Sequence, residues 1–298
     1  MTASPRDAEA PAIDDGLDDN GLPVVAAADG HRFRLLVRRP ATPVAALLWL
    51  PALGVAAKHY LPFAEALSAR GVAVFVHEWR GHGSSDVRAG HDRDWGYRTL
   101  LKDDLPAALA AMQAACPDIP RIVGGHSLGS QLATCLLALQ PDAAQRLWLV
   151  AGGAPYWRSF PGPRGWLLPL AYRFAPWLAD RRGHLPGRTI GFGGREARGV
   201  IRDWARSGLS GRYAAAGMAT DLDAALARVQ VEVDAVRLAD DWLVPSGSLD
   251  WLLGKLLPVA VHRSVLDAAQ LGTRADHFAW MRRPEAVAEA LVRGLQSS

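Results

Sequence analysis

The stretch RIVGGHSLGSQLATCLLAL, residues 121–139, decides the fold of this chain. It opens with a short apolar run typical of a buried strand, and residues 128–139 carry apolar side chains at helical spacing. Ser127 lies between the two, within the pattern Gly-x-Ser-x-Gly that runs from Gly125 to Gly129. A serine on a tight strand-to-helix turn is exposed to a substrate, and the flanking glycines avoid collisions with neighbouring backbone. The motif therefore predicts that Ser127 is a catalytic nucleophile.

Apolar runs of the same kind alternate with helical patterns along the rest of the chain. The runs cover residues 44–50, 72–76, 121–125, 147–151, 231–238 and 259–266, and an alternating, half-exposed run precedes them at residues 31–39. Runs buried on both faces are typical of parallel sheets that helices cover on both sides. Helical patterns occupy residues 60–70 and 97–115 and finish at helix-stop signals. The alternation predicts a doubly wound, mainly parallel α/β sheet.

The chain divides into three kinds of region. Residues 1–22 carry six carboxylates and few large apolar groups, which predicts a disordered acidic tail. Residues 23–152 and 224–298 are expected to form the α/β core. Residues 153–223 separate two predicted strands by far more than an ordinary connection, so we expect an inserted helical cap there. The prolines, glycines and tryptophans of this cap indicate short helices joined by turns.

Composition argues against several classes of protein. No apolar run approaches the ~20 residues of a membrane helix and the opening residues hold no signal-peptide core, so we expect a cytoplasmic protein without a membrane span. Cys116 and Cys135 show no metal-ligand spacing and indicate neither a disulfide framework nor a zinc site. The net charge of +3 is not gathered into one basic tract, which gives nucleic-acid binding little support. We expect no metal and no cofactor.

A serine hydroxyl becomes a good nucleophile only when a base removes its proton and a carboxylate orients that base. Downstream of Ser127, the pair Asp240 and Asp241 follows one predicted strand, and His277 follows the last predicted strand. His262 lies inside that last strand, and no histidine follows His277. His277 is therefore the candidate base, and either carboxylate of the pair is in a position to orient it.

These motifs resemble those of the α/β-hydrolase superfamily over residues 30–296. They are most similar to bacterial serine hydrolases near the serine aminopeptidase and monoglyceride lipase branch. The similar segments are the turn PALGV at 51–55, the loop RGHGSS at 80–85, the motif GHSLG at 125–129, residues 156–158 (Tyr-Trp-Arg), residues 203–205 (Asp-Trp-Ala) and the acidic pair at 240–241. One departure is Ser130, where a third glycine often stands, and serine is small enough to be tolerated there. The resemblance implies an α/β-hydrolase fold with a Ser-Asp-His triad and an inserted cap.

The resemblance also implies roles for individual residues. It favours Asp241 as the acid, because similar enzymes place the acid before an x-x-Val-Pro segment, and Asp240 is the alternative. The backbone N–H groups of Leu53 and Leu128 would form the oxyanion hole, which stabilises the negatively charged oxygen of the intermediate. His82, in the RGHGSS loop, is implied to have a structural role and not to be the base.

The expected chemistry is acyl transfer through a covalent seryl intermediate, with His277 acting first as base and then as acid. Water would be the second acceptor, so the expected reaction is hydrolysis of a carboxylic ester or thioester of a small-molecule acyl substrate. An acyltransferase that uses the same three residues is an alternative, as is a peptidase or amidase. A binding protein without catalysis is disfavoured, because the Ser-Asp-His order is complete.

The cap is unusually basic. Between residues 157 and 213 it contains eleven arginines and three acidic residues, an excess of eight in a chain whose net charge is +3. One hypothesis is that this charge attracts an amphiphile with an anionic head, such as an acyl-CoA, a lysophospholipid or, through peripheral contact, an anionic membrane surface. The alternative is a solvated lid whose tryptophans pack on the core. Trp157, Trp204 and His126 are candidate substrate contacts, although packing is the simpler expectation for His126.

Overall fold

The computed structural model describes residues 24–296, and seven of its strands form one sheet. The strands are β1 (Val24–Ala26), β2 (Arg32–Arg34), β3 (Leu36–Arg38), β4 (Ala45–Leu50), β5 (Val72–Val76), β6 (Arg121–His126), β7 (Arg146–Val150), β8 (Leu185–Pro186), β9 (Arg195–Glu196), β10 (Glu232–Leu238) and β11 (Ala260–Leu266). The order in the sheet is β11-β10-β7-β6-β4-β5-β3, and every neighbouring pair is parallel except β3 and β5. The predicted mainly parallel sheet is confirmed, while the predicted acidic tail lies outside the described residues.

Helices cover both faces of this sheet. They are α1 (Leu61–Ser68), α2 (Tyr97–Thr99), α3 (Leu105–Ala115), α4 (Leu128–Leu139), α5 (Gly162–Arg182), α6 (Gly187–Ile190), α7 (Arg198–Ser210), α8 (Leu222–Leu226), α9 (Ser246–Leu253), α10 (Ala268–Leu271) and α11 (Glu285–Gln296). A π-helical turn, Leu100–Asp104, joins α2 to α3, so residues 97–115 form one continuous helical segment as the sequence predicts. The predicted helix at 128–139 coincides with α4.

The alternating run at residues 31–39 differs from the single strand that we expect from its pattern. It forms β2 and β3, which break at the fully buried Leu35. β2 pairs with β1 in a separate antiparallel ribbon, whereas β3 joins the edge of the main sheet beside β5. Alternation reports only that one face is buried, so it cannot show that the partner strand changes along the run.

The central strand β4 shows how the core is divided. Its even-numbered residues, such as Leu48, join an apolar cluster with residues of α3 and α4. Its odd-numbered residues, such as Trp49, join a second cluster with residues of α1 and α11. Because successive side chains of a strand point to opposite faces, a strand covered by helices on both sides is apolar throughout. The sheet is thereby held between two helical layers, with the carboxyl ends of its parallel strands at one edge.

Between β7 and β10 the chain leaves the main sheet, and we call this segment, residues 153–223, the cap. Helices α5 and α7 pack around a small apolar cluster, and β8 pairs with β9. We expect short helices here, yet α5 has 21 residues and contains Pro169 and Pro176. Proline removes one helical hydrogen bond, and burial of Tyr172, Ala175 and Ala179 along the same helix favours its continuation. In residues 24–296 no helix combines the length and hydropathy that a membrane span requires.

A buried carboxylate attaches the cap to the core. Asp203, on α7, accepts hydrogen bonds from the backbone N–H groups of Tyr97 at 2.9 Å and Ala216 at 3.2 Å. At the start of the same helix, the backbone N–H of Gly199 donates to Asp94 at 2.9 Å. These contacts hold α7 over the carboxyl edge of the sheet, where β6 ends.

Candidate active site

Ser127 lies on a strained turn between β6 and α4. Its φ of +55° falls in the left-handed region, which residues other than glycine rarely adopt. Its backbone N–H donates to the carbonyl of Val150, at the end of β7, over 3.2 Å. Strain of this kind costs about 1–3 kcal/mol and persists where the surrounding structure enforces it. The turn places Ser127 at the wall of a cavity between core and cap.

The glycines beside Ser127 permit close backbone contact. A Cβ on Gly129 would collide with the carbonyl oxygens of Leu50 and Pro51, and a Cβ on Gly125 would collide with the backbone of Gly129. The first turn of α4 therefore lies directly against the end of β4. The hydroxyl of Ser130, the residue after Gly129, donates to the carbonyl of Gly125 at 2.5 Å.

Two downstream residues of the predicted triad lie together. His277 Nδ1 is 2.7 Å from Asp241 Oδ2, and both side chains are buried. The other oxygen of the Asp241 carboxylate accepts hydrogen bonds from the backbone N–H groups of Leu243 at 2.9 Å and Val244 at 3.2 Å, which fixes its orientation. The alternative acid, Asp240, is exposed. The structure thus brings Asp241, and not Asp240, to the candidate base.

His277 and Ser127 line the same cavity. Because the Asp241 carboxylate occupies Nδ1 of His277, Nε2 is the nitrogen available to a serine hydroxyl. An acid that orients a base beside a serine is the arrangement that activates a nucleophile.

The two candidate oxyanion donors also reach this cavity. Leu53 and Leu128 line it, and within residues 24–296 neither backbone N–H donates to a protein acceptor. The turn that carries Leu53 is fixed on one side, where the backbone N–H of Ala52 donates to Tyr60 Oη at 2.8 Å. N–H groups held in place and unpaired in this way are suited to stabilise a developing oxyanion.

The cavity has a volume of about 420 Å³, and its walls are mainly apolar. Core and cap both contribute large side chains, including Leu168, Phe174, Phe192, Trp204, Trp242 and Phe278. Gln131 is a polar exception: its side chain is buried, and its Oε1 has no hydrogen-bond partner among the described residues. No motif of the sequence singles out Gln131, although residues four apart on a helix share a face and Gln131 follows Ser127 by four.

Only one of the candidate substrate contacts lines this cavity. Trp204 does, with its ring centroid 4.8 Å from that of Tyr172. Trp157 lies elsewhere in the cap, where its ring contacts Trp166 and the Arg158 guanidinium stacks over it at 5.0 Å. Trp204 thus contributes to the cavity wall, whereas Trp157 packs against other residues of the cap.

His126 packs behind the candidate base and does not line the cavity. It is fully buried, and its Nδ1 lies 2.9 Å from Tyr60 Oη, while its ring centroid is 4.7 Å from that of His277. Burial, with a smaller effect from the neighbouring His277, holds the pKa of His126 well below its ordinary value. His126 is therefore uncharged, and its position gives it a packing role in place of a substrate contact.

His82 lies in the loop after β5 and connects core to cap. Its Nε2 is 3.2 Å from Glu196 Oε1, on β9. Burial disfavours the charged imidazole, but the carboxylates of Glu196 and Glu78 outweigh this and raise the pKa of His82. Among residues 24–296, no group of three His, Cys, Asp or Glu side chains is placed to hold a metal ion.

Comparisons with known proteins agree with this architecture. A family model described as serine aminopeptidase, S33, matches residues 41–255 of the chain. A comparison with curated protein sequences gave no match.

Three solved structures represent the structural relatives. A hydrolase from Pseudomonas aeruginosa PA01 has a TM-score of 0.64 at 18% identity, covering 93% of this chain and 99% of that chain. Est1E from Butyrivibrio proteoclasticus, with ferulic acid bound, has a TM-score of 0.63 at 14% identity, covering 92% and 98%. The enol-lactonase from Burkholderia xenovorans LB400 has a TM-score of 0.59 at 18% identity, covering 91% and 99%. At these identities the likeness shows a shared fold.

Proposed function

Because the chain belongs to the serine aminopeptidase S33 family and is a hydrolase of the α/β-hydrolase fold, we propose that it cleaves carboxylic esters or thioesters of apolar acyl groups. One observation carries this proposal: Ser127, His277 and the residues of the two unpaired backbone donors, Leu53 and Leu128, line a single apolar cavity. Nucleophile, base and oxyanion stabilisation are the parts that acyl transfer needs.

In the proposed mechanism, Ser127 Oγ attacks the acyl carbonyl while His277 Nε2 takes its proton. Asp241 holds the imidazole ring in orientation and stabilises the imidazolium that forms. The backbone N–H groups of Leu53 and Leu128 stabilise the tetrahedral oxyanion. His277 then protonates the leaving alcohol or thiol, and water releases the acyl group from Ser127 by the same steps in reverse order.

The walls of the cavity favour an apolar acyl group over a charged one. Aromatic and aliphatic side chains dominate the lining, and none of the described residues that line the cavity is Asp or Glu. An enzyme that removes the amino-terminal residue of a peptide needs a carboxylate to bind the substrate's ammonium group, because an unpaired buried charge is costly. The lining therefore supports ester hydrolysis over aminopeptidase activity. Acyl transfer stays an alternative, which adding an alcohol acceptor to the assay would reveal.

Labelling with a fluorophosphonate probe tests the central assignment. The wild-type protein is expected to be labelled and to hydrolyse p-nitrophenyl octanoate, whereas Ser127→Ala does neither. The matched control is Ser210→Ala, which removes an exposed hydroxyl at the end of α7. Absence of labelling in the wild type, or equal labelling of Ser127→Ala, would show that the assignment is wrong.

Peripheral contact with an anionic membrane, one form of the hypothesis for the basic cap, stays a prediction, and α5 is the surface that would make it. Trp166, Leu170, Phe174 and Trp177 recur on this helix every three or four residues, and each is at least half exposed. An exposed apolar stripe on a basic cap is typical of helices that lie in a membrane interface. The double variant Trp166→Ser/Leu170→Ser should reduce sedimentation with phosphatidylglycerol vesicles, and equal sedimentation of both proteins would contradict the prediction.

A further inference from the structure

The arginines of the cap differ in what they contact. Four of them form ion pairs with carboxylates: Arg198 with Asp94, Arg202 with Asp94 and Asp180, Arg206 with Asp203, and Arg212 with Asp221. Three others stack over tryptophan rings: Arg158, Arg164 and Arg181. Two more, Arg188 and Arg195, line a cavity between the cap and the core loops. Of the seven cap arginines that have no carboxylate partner among the described residues, Arg188 and Arg195 are thus the two that line a common cavity.

This cavity, the cationic cavity hereafter, has a volume of about 540 Å³. Lys58 and Arg88 of the core face Arg188 and Arg195 of the cap across it, and His59, His82 and His184 add three imidazoles. Among the described residues that line it, none is Asp or Glu. Charges of one sign that line a cleft concentrate ions of the opposite sign, and the effect is strongest for multiply charged ions.

Backbone carbonyls orient two of these arginines, and Glu78, behind the wall, is the carboxylate that interacts with Arg88. The Arg88 guanidinium donates to the carbonyls of Val87 at 2.7 Å and Gly83 at 2.9 Å, and Arg195 Nε donates to the carbonyl of Ala89 at 2.8 Å. Lys58 and Arg188 form no ion pair within residues 24–296. Carbonyl oxygens carry no net charge. They orient the guanidinium groups without cancelling the positive charge that a ligand would meet.

A buried histidine also lines the wall. The side chain of His82 is only 10% exposed, and its ring is hydrogen-bonded to the backbone of Arg80. Its Nε2 faces Glu196, which stabilises the charged imidazole behind the wall. His82 thus connects the wall of the cavity to the cap carboxylate behind it.

The cationic cavity adjoins the candidate active site. Gly54 lines it, while the preceding residue, Leu53, lines the apolar cavity. Gly54 has a φ of +75°, and a Cβ there would collide with the backbone of Gly193 and Gly194 in the cap. One backbone turn and the cap loop packed on it are thus all that separates the two spaces.

A third cavity leads around this turn. It has a volume of about 470 Å³, shares Lys58 and His59 with the cationic cavity, and shares Phe278 with the apolar cavity. Arg282 adds another cation along it, and its described lining residues also include no Asp or Glu. Basic side chains thus line the space between Phe278, at the apolar cavity, and Lys58, at the cationic cavity.

We propose that the cationic cavity binds phosphate groups on the leaving group of the substrate. The substrate is then an ester or thioester whose alcohol or thiol portion carries phosphate, while the acyl chain fills the apolar cavity. This proposal rests on the proposed function. In the reaction the acyl carbon forms a bond to Ser127 Oγ and its bond to the leaving oxygen or sulfur breaks. His277 supplies the proton to that atom, and the phosphates are unchanged.

Matched substrates with and without phosphate test the proposal. Octanoyl-CoA and octanoyl-pantetheine present the same thioester, and only the first carries phosphates. We expect KM to be at least about tenfold lower for octanoyl-CoA, and lysophosphatidic acid compared with a monoacylglycerol of the same chain repeats the test for a lipid source. A phosphate preference in either pair supports the site and identifies the source, and no preference in both pairs overturns the proposal.

The double variant Lys58→Gln/Arg188→Gln should remove most of that preference, about tenfold in the ratio of the two KM values, and raised salt should act in the same direction. The control is Arg173→Gln, because this exposed arginine of α5 bonds only to the carbonyl of Pro169 in the described structure and lies outside the cationic cavity. The ratio should stay at its wild-type value in the control. An unchanged ratio in the double variant contradicts the proposal.

Direct binding separates this site from the catalytic assignment. Pyrophosphate should bind to Ser127→Ala in a calorimetric titration, and adding Lys58→Gln/Arg188→Gln should abolish the binding. Failure of pyrophosphate to bind overturns the site even if esters are hydrolysed. Conversely, pyrophosphate binding by a protein that neither hydrolyses esters nor reacts with the fluorophosphonate probe would retain the site and reject the proposed function.

Discussion

Residues 24–296 contain a second Ser-His-Asp group besides the candidate triad, and the two groups differ in their surroundings. In the triad, His277 Nδ1 lies 2.7 Å from Asp241 Oδ2 and the imidazole lines the cavity with Ser127. In the second group, His31 Nδ1 lies 3.0 Å from Asp104 Oδ1, and His31 Nε2 lies 2.9 Å from the hydroxyl of Ser85. Side-chain chemistry alone does not distinguish them.

The difference lies in what else each serine and carboxylate contacts. The Ser85 hydroxyl is buried, accepts a hydrogen bond from the backbone N–H of Gly81 at 2.9 Å and donates to the carbonyl of Val87 at 3.2 Å. Asp104 is bound by the Arg80 guanidinium through both carboxylate oxygens, at 2.6 and 3.0 Å. Every member of this group has its partners within the protein. A Ser-His-Asp arrangement becomes a candidate catalyst only when the serine reaches a cavity that also presents unpaired oxyanion donors.

Removing each serine in turn should distinguish the two groups most clearly. Ser127→Ala is expected to lower kcat for p-nitrophenyl octanoate by at least about a thousandfold, because the nucleophile is lost. Ser85→Ala should leave kcat per folded molecule nearly unchanged and should destabilise the protein by about 1–3 kcal/mol, because His31 Nε2 and the Gly81 N–H lose their partner. Active-site titration and urea unfolding measure the two effects. A loss of activity in folded Ser85→Ala equal to that in Ser127→Ala would contradict the distinction.

The two aspartates provide the next test. Asp241→Asn should lower kcat by about 10⁴-fold with little change in stability, since the amide cannot stabilise the imidazolium or hold its tautomer. Asp104→Asn should act on folding instead and cost about 1–3 kcal/mol, because His31 and Arg80 lose a charged acceptor while Arg80 keeps its salt bridge to Asp29 at 2.7 Å. Denaturant unfolding and steady-state kinetics on both variants provide the measurement. A stable Asp104→Asn protein with impaired catalysis would show that Asp104, and not only Asp241, serves the reaction.

Lowering the pH should reduce the stability of the folded protein through the Asp104 carboxylate of the second group. Burial opposes ionisation of Asp104, but hydrogen bonds from His31 and Arg80 outweigh this and hold its pKa below the ordinary 3.8. A carboxylate with a depressed pKa contributes stability that is present above pH 3.8 and is lost as the pH falls through the lower, folded value. The free energy of unfolding of the wild type should therefore decline at acid pH more steeply than that of Asp104→Asn. Parallel pH profiles for the two proteins would show that Asp104 has the same pKa in the folded and unfolded states.

How far the sequence could predict these features depends on how local they are. The GHSLG motif is contiguous, and its turn follows from two glycines and a strand-helix boundary, so Ser127 is predictable. The Ser85 group is not, because His31, Ser85 and Asp104 are joined only when the β1–β2 ribbon folds against the loop after β5. Asp240 and Asp241 are adjacent, so spacing alone cannot rank them, and the orientation of one turn decides which of them meets His277.

In the cap, the sequence likewise cannot predict which charged side chains are paired. Its excess of arginine is visible in the sequence, but which arginines lack a carboxylate depends on partners far along the chain, as with Arg198 and Asp94. Its prolines predict short helices, and burial of one face of α5 overrides that local preference. Local preferences are thus reliable where few tertiary contacts oppose them, and the cap depends on contacts between distant segments.

The smallest expected effect concerns Gln131, the polar exception in the apolar cavity. The polar groups of the Ser85 set have partners, whereas the Gln131 Oε1 has none among the described residues, and an unpaired buried oxygen costs about 1–3 kcal/mol. Gln131→Leu should therefore stabilise the folded protein by about 1 kcal/mol and lower KM for p-nitrophenyl octanoate severalfold, since leucine has a similar volume and no polar atom. Gln131→Glu is the matched control of nearly equal shape and should act in the opposite direction, because it places a charge against the acyl chain. Destabilisation by Gln131→Leu, measured by urea unfolding, would show that the amide has a partner within the protein and that the cavity is less apolar than its walls indicate.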